Sequence, residues 1–145
     1  TQYKPLDNEF QIREAMRDTC QLINSRNNIF EKALLTLLLL SYIQPFTDGN
    51  KRTARITSNA ILIANGYCPL SFRTVDSIDY KKAMLIFYEQ NNLHAFKQIF
   101  IGLVFQQSRH KFCSRIFLFP FFIDFLREQH TCFDIQQLLF NYHII

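Results

Sequence analysis

Hydrophobic and polar positions along this chain fall into five helical stretches and then stop following any period. In the first stretch Ile12, Ala15, Met16, Thr19, Leu22 and Ile23 recur at the spacing of one helix face, which predicts a helix running to about Asn24. Pro5 disfavours helix at Lys4, so residues 1–6 are expected to be extended or turning. Asp7 is the expected N-cap, with Glu9 in the first turn. The stretch 29–43 is apolar on nearly every side, with Ile29, Phe30, Ala33, Leu34, Leu35, Leu37 to Leu40 and Ile43. A helix hydrophobic all round is buried all round, so this one is predicted to be the centre of a bundle. Pro45 stops it, and Phe46 is expected to plug back into the core.

The third stretch, 50–65, is predicted to turn Ile56, Ala60, Ile61 and Ala64 inward and to stop at Asn65-Gly66. Residues 67–74 read as a loop around Pro69. Asp76 or Ser77 caps the fourth helix, whose stripe is Tyr80, Ala83, Met84, Phe87 and Tyr88, and Asn91-Asn92 breaks it. The fifth runs from Leu93 to about Phe105, with Phe96, Ile99 and Phe100 inward. The expected fold class is therefore all-α. From about Gly102 phenylalanines crowd the chain with irregular charges, and neither helical nor strand periodicity is sustained. A change of reading frame near Gly102 would account for this. The coding sequence tests it: no alternative frame encoding a helical continuation would sink the idea. The expected division is a core over residues 1–101 and an atypical Phe-rich segment over 102–145.

A length of 145 residues fits one domain, and 48% hydrophobic content supplies a core while ruling out a disordered chain. The net charge of +4 permits anionic ligands, yet no Lys/Arg block argues for nucleic acid, so no nucleic-acid partner is expected. No signal peptide is read at the start, and residues 116–123 are too short and too interrupted by Pro120 to span a bilayer. No membrane association and a cytoplasmic location are the expectations. Cys20, Cys68, Cys113 and Cys132 lie far apart without a CxxC pair, which favours free buried thiols over a zinc site.

The chemistry concentrates at residues 44–55, Gln-Pro-Phe-Thr-Asp-Gly-Asn-Lys-Arg-Thr-Ala-Arg. Gly49 permits a tight turn. The helix that follows offers its first amides, near Asn50, Lys51 and Arg52, together with the positive end of its dipole, and a phosphate is the natural occupant. Arg52 and Arg55, three apart, lie on one face, where two guanidinium forks suit successive phosphates of a polyphosphate. Asp48 is out of place beside a bare phosphate but fits as a ligand of a bridging Mg²⁺. Taken singly, each residue is better read as a cap or a solvated charge; together they converge on one helix end. His94, His110, His130 and His143 lie outside the loop. Tyr80, Tyr88 and Asn59 either border an adenine pocket or, the better reading, pack between helices.

This string resembles the signature of the Fic (filamentation induced by cAMP) family, His-x-Phe-x-Asp/Glu-Gly-Asn-Gly-Arg-x-x-Arg. Phe46, Asp48, Gly49, Asn50, Arg52 and Arg55 match it. The Leu-rich helix before it, and Asp79-Tyr80, Phe87-Tyr88-Glu89, Asn92-Leu93 and Phe96 after it, also look like Fic proteins, so the resemblance covers roughly residues 3–100. It implies a helical bundle with a short β flap over the site, here truncated to Thr1, Gln2, Tyr3 and Lys4, which would dock the target protein as an added strand. It implies AMP transfer from ATP, with Mg²⁺, to a hydroxyl of that target. Asp48 would hold Mg²⁺. Gly49 and Asn50, with Lys51 beside them, would form the anion hole for the α-phosphate. Arg52 would contact the β-phosphate and Arg55 the outer end of the triphosphate. Gln44 occupies the position of the catalytic histidine, and Lys51 replaces a glycine. Asn-Lys-Arg also occurs in close relatives of the Doc toxin, whose resemblance would imply phosphate transfer instead. A nucleotide-binding pseudoenzyme that regulates a partner is the other alternative. No inhibitory Ser/Thr-x-x-x-Glu-Gly/Asn helix is read in the chain, which leaves an inhibitory partner or antitoxin as a further expectation. The oligomeric state is not legible.

Overall fold

The structure is a computed structural model and describes residues 3–108. The architecture there is all-α: α1 (Glu9–Ser25), α2 (Ile29–Ile43), α3 (Asn50–Ala64), a 3-10 turn (Phe72–Thr74), α4 (Ser77–Gln90) and α5 (His94–Ser108), with no strand among the described residues. Thr1 and Gln2 of the expected flap lie outside that range, as does the chain beyond Ser108. Helix α5 runs through Gly102 to Ser108.

Side chains that compete with the backbone set the helix starts. Asn28 accepts from the amides of Phe30 and Glu31 and fixes the first turn of α2. Asp76 does the same for Ile78 and Asp79 at α4. At α1 the cap is Asn8, which accepts from Phe10, and not the expected Asp7. Both residue types cap well, and the helix starts one residue later than a cap at Asp7 would set it.

Helix α2 is the axis of the bundle. Leu37, Leu38, Leu39 and Tyr42 are 0% exposed, because neighbours cover the helix on every side. Its most extensive partner is α3. The inner face of α3 is not the one its hydrophobic residues suggest. Ala54, Ser58 and Leu62 are buried and Ile61 packs against the core as expected, while Ile56 is 64% exposed and Ala60 and Ala64 face solvent. Small residues at 54 and 58 let the two backbones approach, and the Ser58 hydroxyl donates to the Ala33 carbonyl of α2 at 2.8 Å. Asn59, on the adjoining flank, bonds both backbone groups of Leu70, donating at 3.0 Å and accepting at 2.8 Å. That pairs the return loop with α3, so Asn59 serves a helix-to-loop contact and not packing between helices. Cys20 is a free thiol as expected but exposed, not buried, and Cys68 is disulfide-bonded, not free.

Three tyrosines close the end of α2 that leads into the loop. Tyr3 stacks on Tyr42 and Tyr88 with ring centroids 4.8 and 4.7 Å apart, and its hydroxyl donates to the Tyr42 carbonyl. Tyr88 donates to the Ser41 carbonyl at 2.7 Å. Tyr3 thus sits as a packed plug among residues that have no strand structure, whereas Lys4 is exposed. Burial pushes the Tyr42 hydroxyl up to about 12, and it raises Tyr3 and Tyr88 in the same direction, helped by their tyrosine neighbours.

A pH dependence follows. The unfolded chain loses these protons near the ordinary value of 10, while the folded chain keeps them. Their contribution to stability is therefore fully present below that pH and is lost as pH climbs toward the raised folded values, by about 1.4 kcal/mol per pH unit for each tyrosine. Urea unfolding at successively more alkaline pH above that value should show the decline. It should be shallower in a Tyr42→Phe chain, and equal slopes would refute the assignment.

Candidate functional site

Helix α2 ends on Gln44, which adopts the left-handed conformation at φ 51° and donates its amide to the Leu40 carbonyl at 3.2 Å. Glycine is the usual residue at such a cap, and a side chain there carries strain on the order of 1 kcal/mol. The turn leads into the loop of residues 45–49. The Gln44 side chain is half-buried at the mouth of this loop.

The loop is closed by Asn50. Its side-chain oxygen accepts from the Phe46 amide at 2.8 Å, and its side-chain nitrogen donates to the Phe46 carbonyl at 2.6 Å. This two-point clamp fixes the backbone of residues 46–50 from the far side. It also explains why Phe46 does not plug into the core as expected: the ring is 49% exposed. Gly49 follows at φ 78°, ψ 7°, as the N-cap of α3, without a side-chain cap bond. A Cβ there would meet nothing within 4 Å, so the requirement for glycine is conformational and not steric. The first helical bond of α3 runs from the Thr53 amide to the Gly49 carbonyl at 2.8 Å. The amides of Asn50, Lys51 and Arg52 precede it and lie at the positive end of the helix dipole.

The side chains expected to share the site separate into two groups. Gln44, Asp48, Gly49, Asn50, Lys51 and Arg52 gather at the loop and the first turn of α3, with Asp48, Lys51 and Arg52 solvent-exposed. Arg55 does not join them in the open. Its guanidinium carbon lies 5.3 Å from the Phe72 ring centre and 4.9 Å from that of Tyr80, and its Nε is buried without a hydrogen-bond partner among the described residues. Tyr80 also meets Phe96 edge-on at 5.2 Å, and its buried hydroxyl has no described partner. These aromatic neighbours of Arg55 were missed in sequence because they lie in the 3-10 turn and on α4, and only the third dimension brings them together. The available signal was the aromatic at 80 on the inward stripe of α4.

Whether Mg²⁺ suits the loop turns on Asp48. It is exposed at the loop tip and paired with no described residue, so a single carboxylate is free to share a metal with phosphate oxygens. No group of three or more His, Cys, Asp or Glu side chains stands together among the described residues, so a metal held by protein alone is not built there. Likewise, no described helix is long and apolar enough to cross a membrane.

Known proteins have sequences similar to this part of the chain. Residues 2–62 match the Fic/DOC family. Over 50 residues the chain is 52% identical to "Protein adenylyltransferase Fic" of Nematostella vectensis, covering 34% of this chain and 12% of that protein. It is 31% identical over 72 residues to "Protein adenylyltransferase fic-1" of Caenorhabditis elegans, covering 47% of this chain and 14% of that protein. It is 41% identical over 46 residues to a probable protein adenylyltransferase of Aquifex aeolicus, covering 32% of this chain and 14% of that protein. No solved structure matches the chain significantly. The matches span only 12–14% of these relatives' own length. With the signature loop, the clamped turn and the helical frame in place, residues 2–62 are the part of this chain that is similar to the Fic/DOC family.

Proposed function

We propose that this chain binds ATP at the start of α3 and supports Fic-type transfer of AMP to a hydroxyl of a target protein, weakly because Gln44 stands at the histidine position. The observation that carries the reading is the left-handed Gly49 leading into the unpaired amides of Asn50, Lys51 and Arg52. In this reading those amides cradle the α-phosphate. Arg52 holds the β-phosphate and Arg55 the outer end of the triphosphate. Asp48 holds Mg²⁺, which when bound neutralises charge on the phosphate oxygens. The target hydroxyl oxygen attacks the α-phosphorus, the bond from that phosphorus to the bridging oxygen breaks, and pyrophosphate leaves. A glutamine amide does not take up a proton near neutral pH, so the hydroxyl proton passes to water. Gln44 orients the hydroxyl, and the anion hole and positioning supply what catalysis remains.

Residues 1–101 form the Fic-like core in this proposal. Residues 1–4 are the piece of flap that aligns the target, although the packed position of Tyr3 leaves only Lys4 of the described pair facing outward. An inhibitory partner would act on the same loop. The reading places the chain in the cytoplasm.

The test is calorimetric titration of Mg²⁺–ATP into the parent and into Arg52→Ala. Losing a guanidinium–phosphate contact should weaken binding by roughly ten- to a hundredfold, the equivalent of about 1.5–3 kcal/mol. No binding by the folded parent would sink the nucleotide reading. A second reading, a pseudoenzyme that binds nucleotide and regulates a partner, is favoured by Gln44 itself. Attachment of label from α-labelled ATP to protein separates transfer from binding alone, and attachment from γ-labelled ATP would indicate a Doc-like kinase.

A further inference from the structure

Arg55 poses a problem that the loop does not answer. An arginine meant for the outer phosphates of a nucleotide sits one helical turn beyond the loop, with its guanidinium between two aromatic rings and its Nε buried. A flexible arginine in water loses much of its freedom when it grips a phosphate. One already held by rings has lost it beforehand. The two rings come from different elements, Phe72 from the 3-10 turn and Tyr80 from α4, and they meet edge to face at 88° with centres 6.0 Å apart. The Arg55 cation is thereby in contact with two ring systems in a corner. Burial of Nε also removes the side-on fork made by Nε with a terminal nitrogen. What Arg55 has left to present is the end of the guanidinium, the pair of terminal nitrogens, which suits two oxygens of one phosphate.

We propose that Phe72 and Tyr80 are positioning residues that hold Arg55 end-on for the terminal phosphate of ATP and so set the preference for a triphosphate over a diphosphate. The proposal rests on the nucleotide reading above and adds to it residues outside the family segment 2–62. Phe72 and Tyr80 need touch no substrate. Their contribution passes through Arg55 alone, so it should be visible only with ligands that reach Arg55.

The experiment compares Mg²⁺–ATP with Mg²⁺–ADP by calorimetry on the whole chain and on Phe72→Leu, Tyr80→Leu and Tyr80→Phe. Each leucine variant removes one ring from the cation and should weaken ATP binding by about 3- to 30-fold, with ADP binding unchanged. Tyr80→Phe keeps the ring and should retain the parent's affinity for both nucleotides. Phe72 is only half-buried and not in the central core, so its leucine variant should remain folded even if the Tyr80 variant does not. A folded Phe72→Leu chain with the parent's ATP and ADP affinities would overturn the proposal and leave the nucleotide site standing. Equal weakening toward both nucleotides would also overturn it, by showing a general structural role. A folded parent that binds neither nucleotide would overturn both readings together.

Discussion

A Gln44→His chain is expected to attach AMP to its target about 10²- to 10⁴-fold faster than the parent, the range that a positioned general base supplies. The expectation depends on three observations. Position 44 is at the mouth of the loop and half-buried, so a new imidazole has room and is not sealed in the core. Its backbone is held by the bond to the Leu40 carbonyl and by the following clamp from Asn50 to Phe46, neither of which uses the glutamine side chain. The left-handed backbone at 44 is also one that histidine enters more readily than most residues. Incubation with α-labelled ATP and candidate target protein reads the gain directly. A Gln44→Gly chain is the matching control. Relief of the left-handed strain should make it more stable by up to about 1 kcal/mol, and it should transfer no faster than the parent. If the histidine chain folds, binds Mg²⁺–ATP and still shows no gain, the missing base is not what limits this chain.

Truncating Leu38 to alanine is expected to cost about 2–5 kcal/mol, measured as a lowered urea midpoint with little change in slope. Leu38 is 0% exposed on the axial helix, with Leu37 and Leu39 equally enclosed, so little around it can collapse into the space. Against a typical total of about 5–15 kcal/mol, a loss of that size threatens the fold itself. The contrast is Ile56→Ala on α3. It removes a residue as hydrophobic as Leu38, but one that is 64% exposed, and the change should stay within roughly 0.5 kcal/mol. Comparable losses from both would mean that the outer face of α3 is covered in solution.

That contrast marks how far the sequence could be read. The bounds of α2 were legible because Asn28 and Pro45 flank an apolar run too long and too uniform to be anything but an enclosed helix. The turn from Gln44 through Gly49 into the start of α3 was legible because that geometry is local, whereas Arg55 falls away from it between two rings. The inner face of α3 was not. Of the expected inward residues Ile56, Ala60, Ile61 and Ala64, only Ile61 packs against the core, whereas the helix buries Leu62 together with Ala54 and Ser58, small enough to let α2 approach. Close backbone packing and a buried hydroxyl bond decided the orientation, and neither registers on a hydrophobic scale. Phe46 was misplaced for a similar reason. Its ring looks like a core residue, but its backbone is captured by Asn50, and the capture decides where the ring points. The aromatic surroundings of Arg55 were beyond reach because they join segments separated by a loop whose path no periodicity describes.

The clamp from Asn50 carries an evolutionary consequence. It recognises only the main chain of residue 46, so the loop's shape does not depend on which side chains stand at 46 and 47, or on the one at 44. Selection can therefore alter the reactive group, or the residues that meet a target, without renegotiating the fold. Such a frame tolerates exchange of the residue at 44 without a change in its architecture.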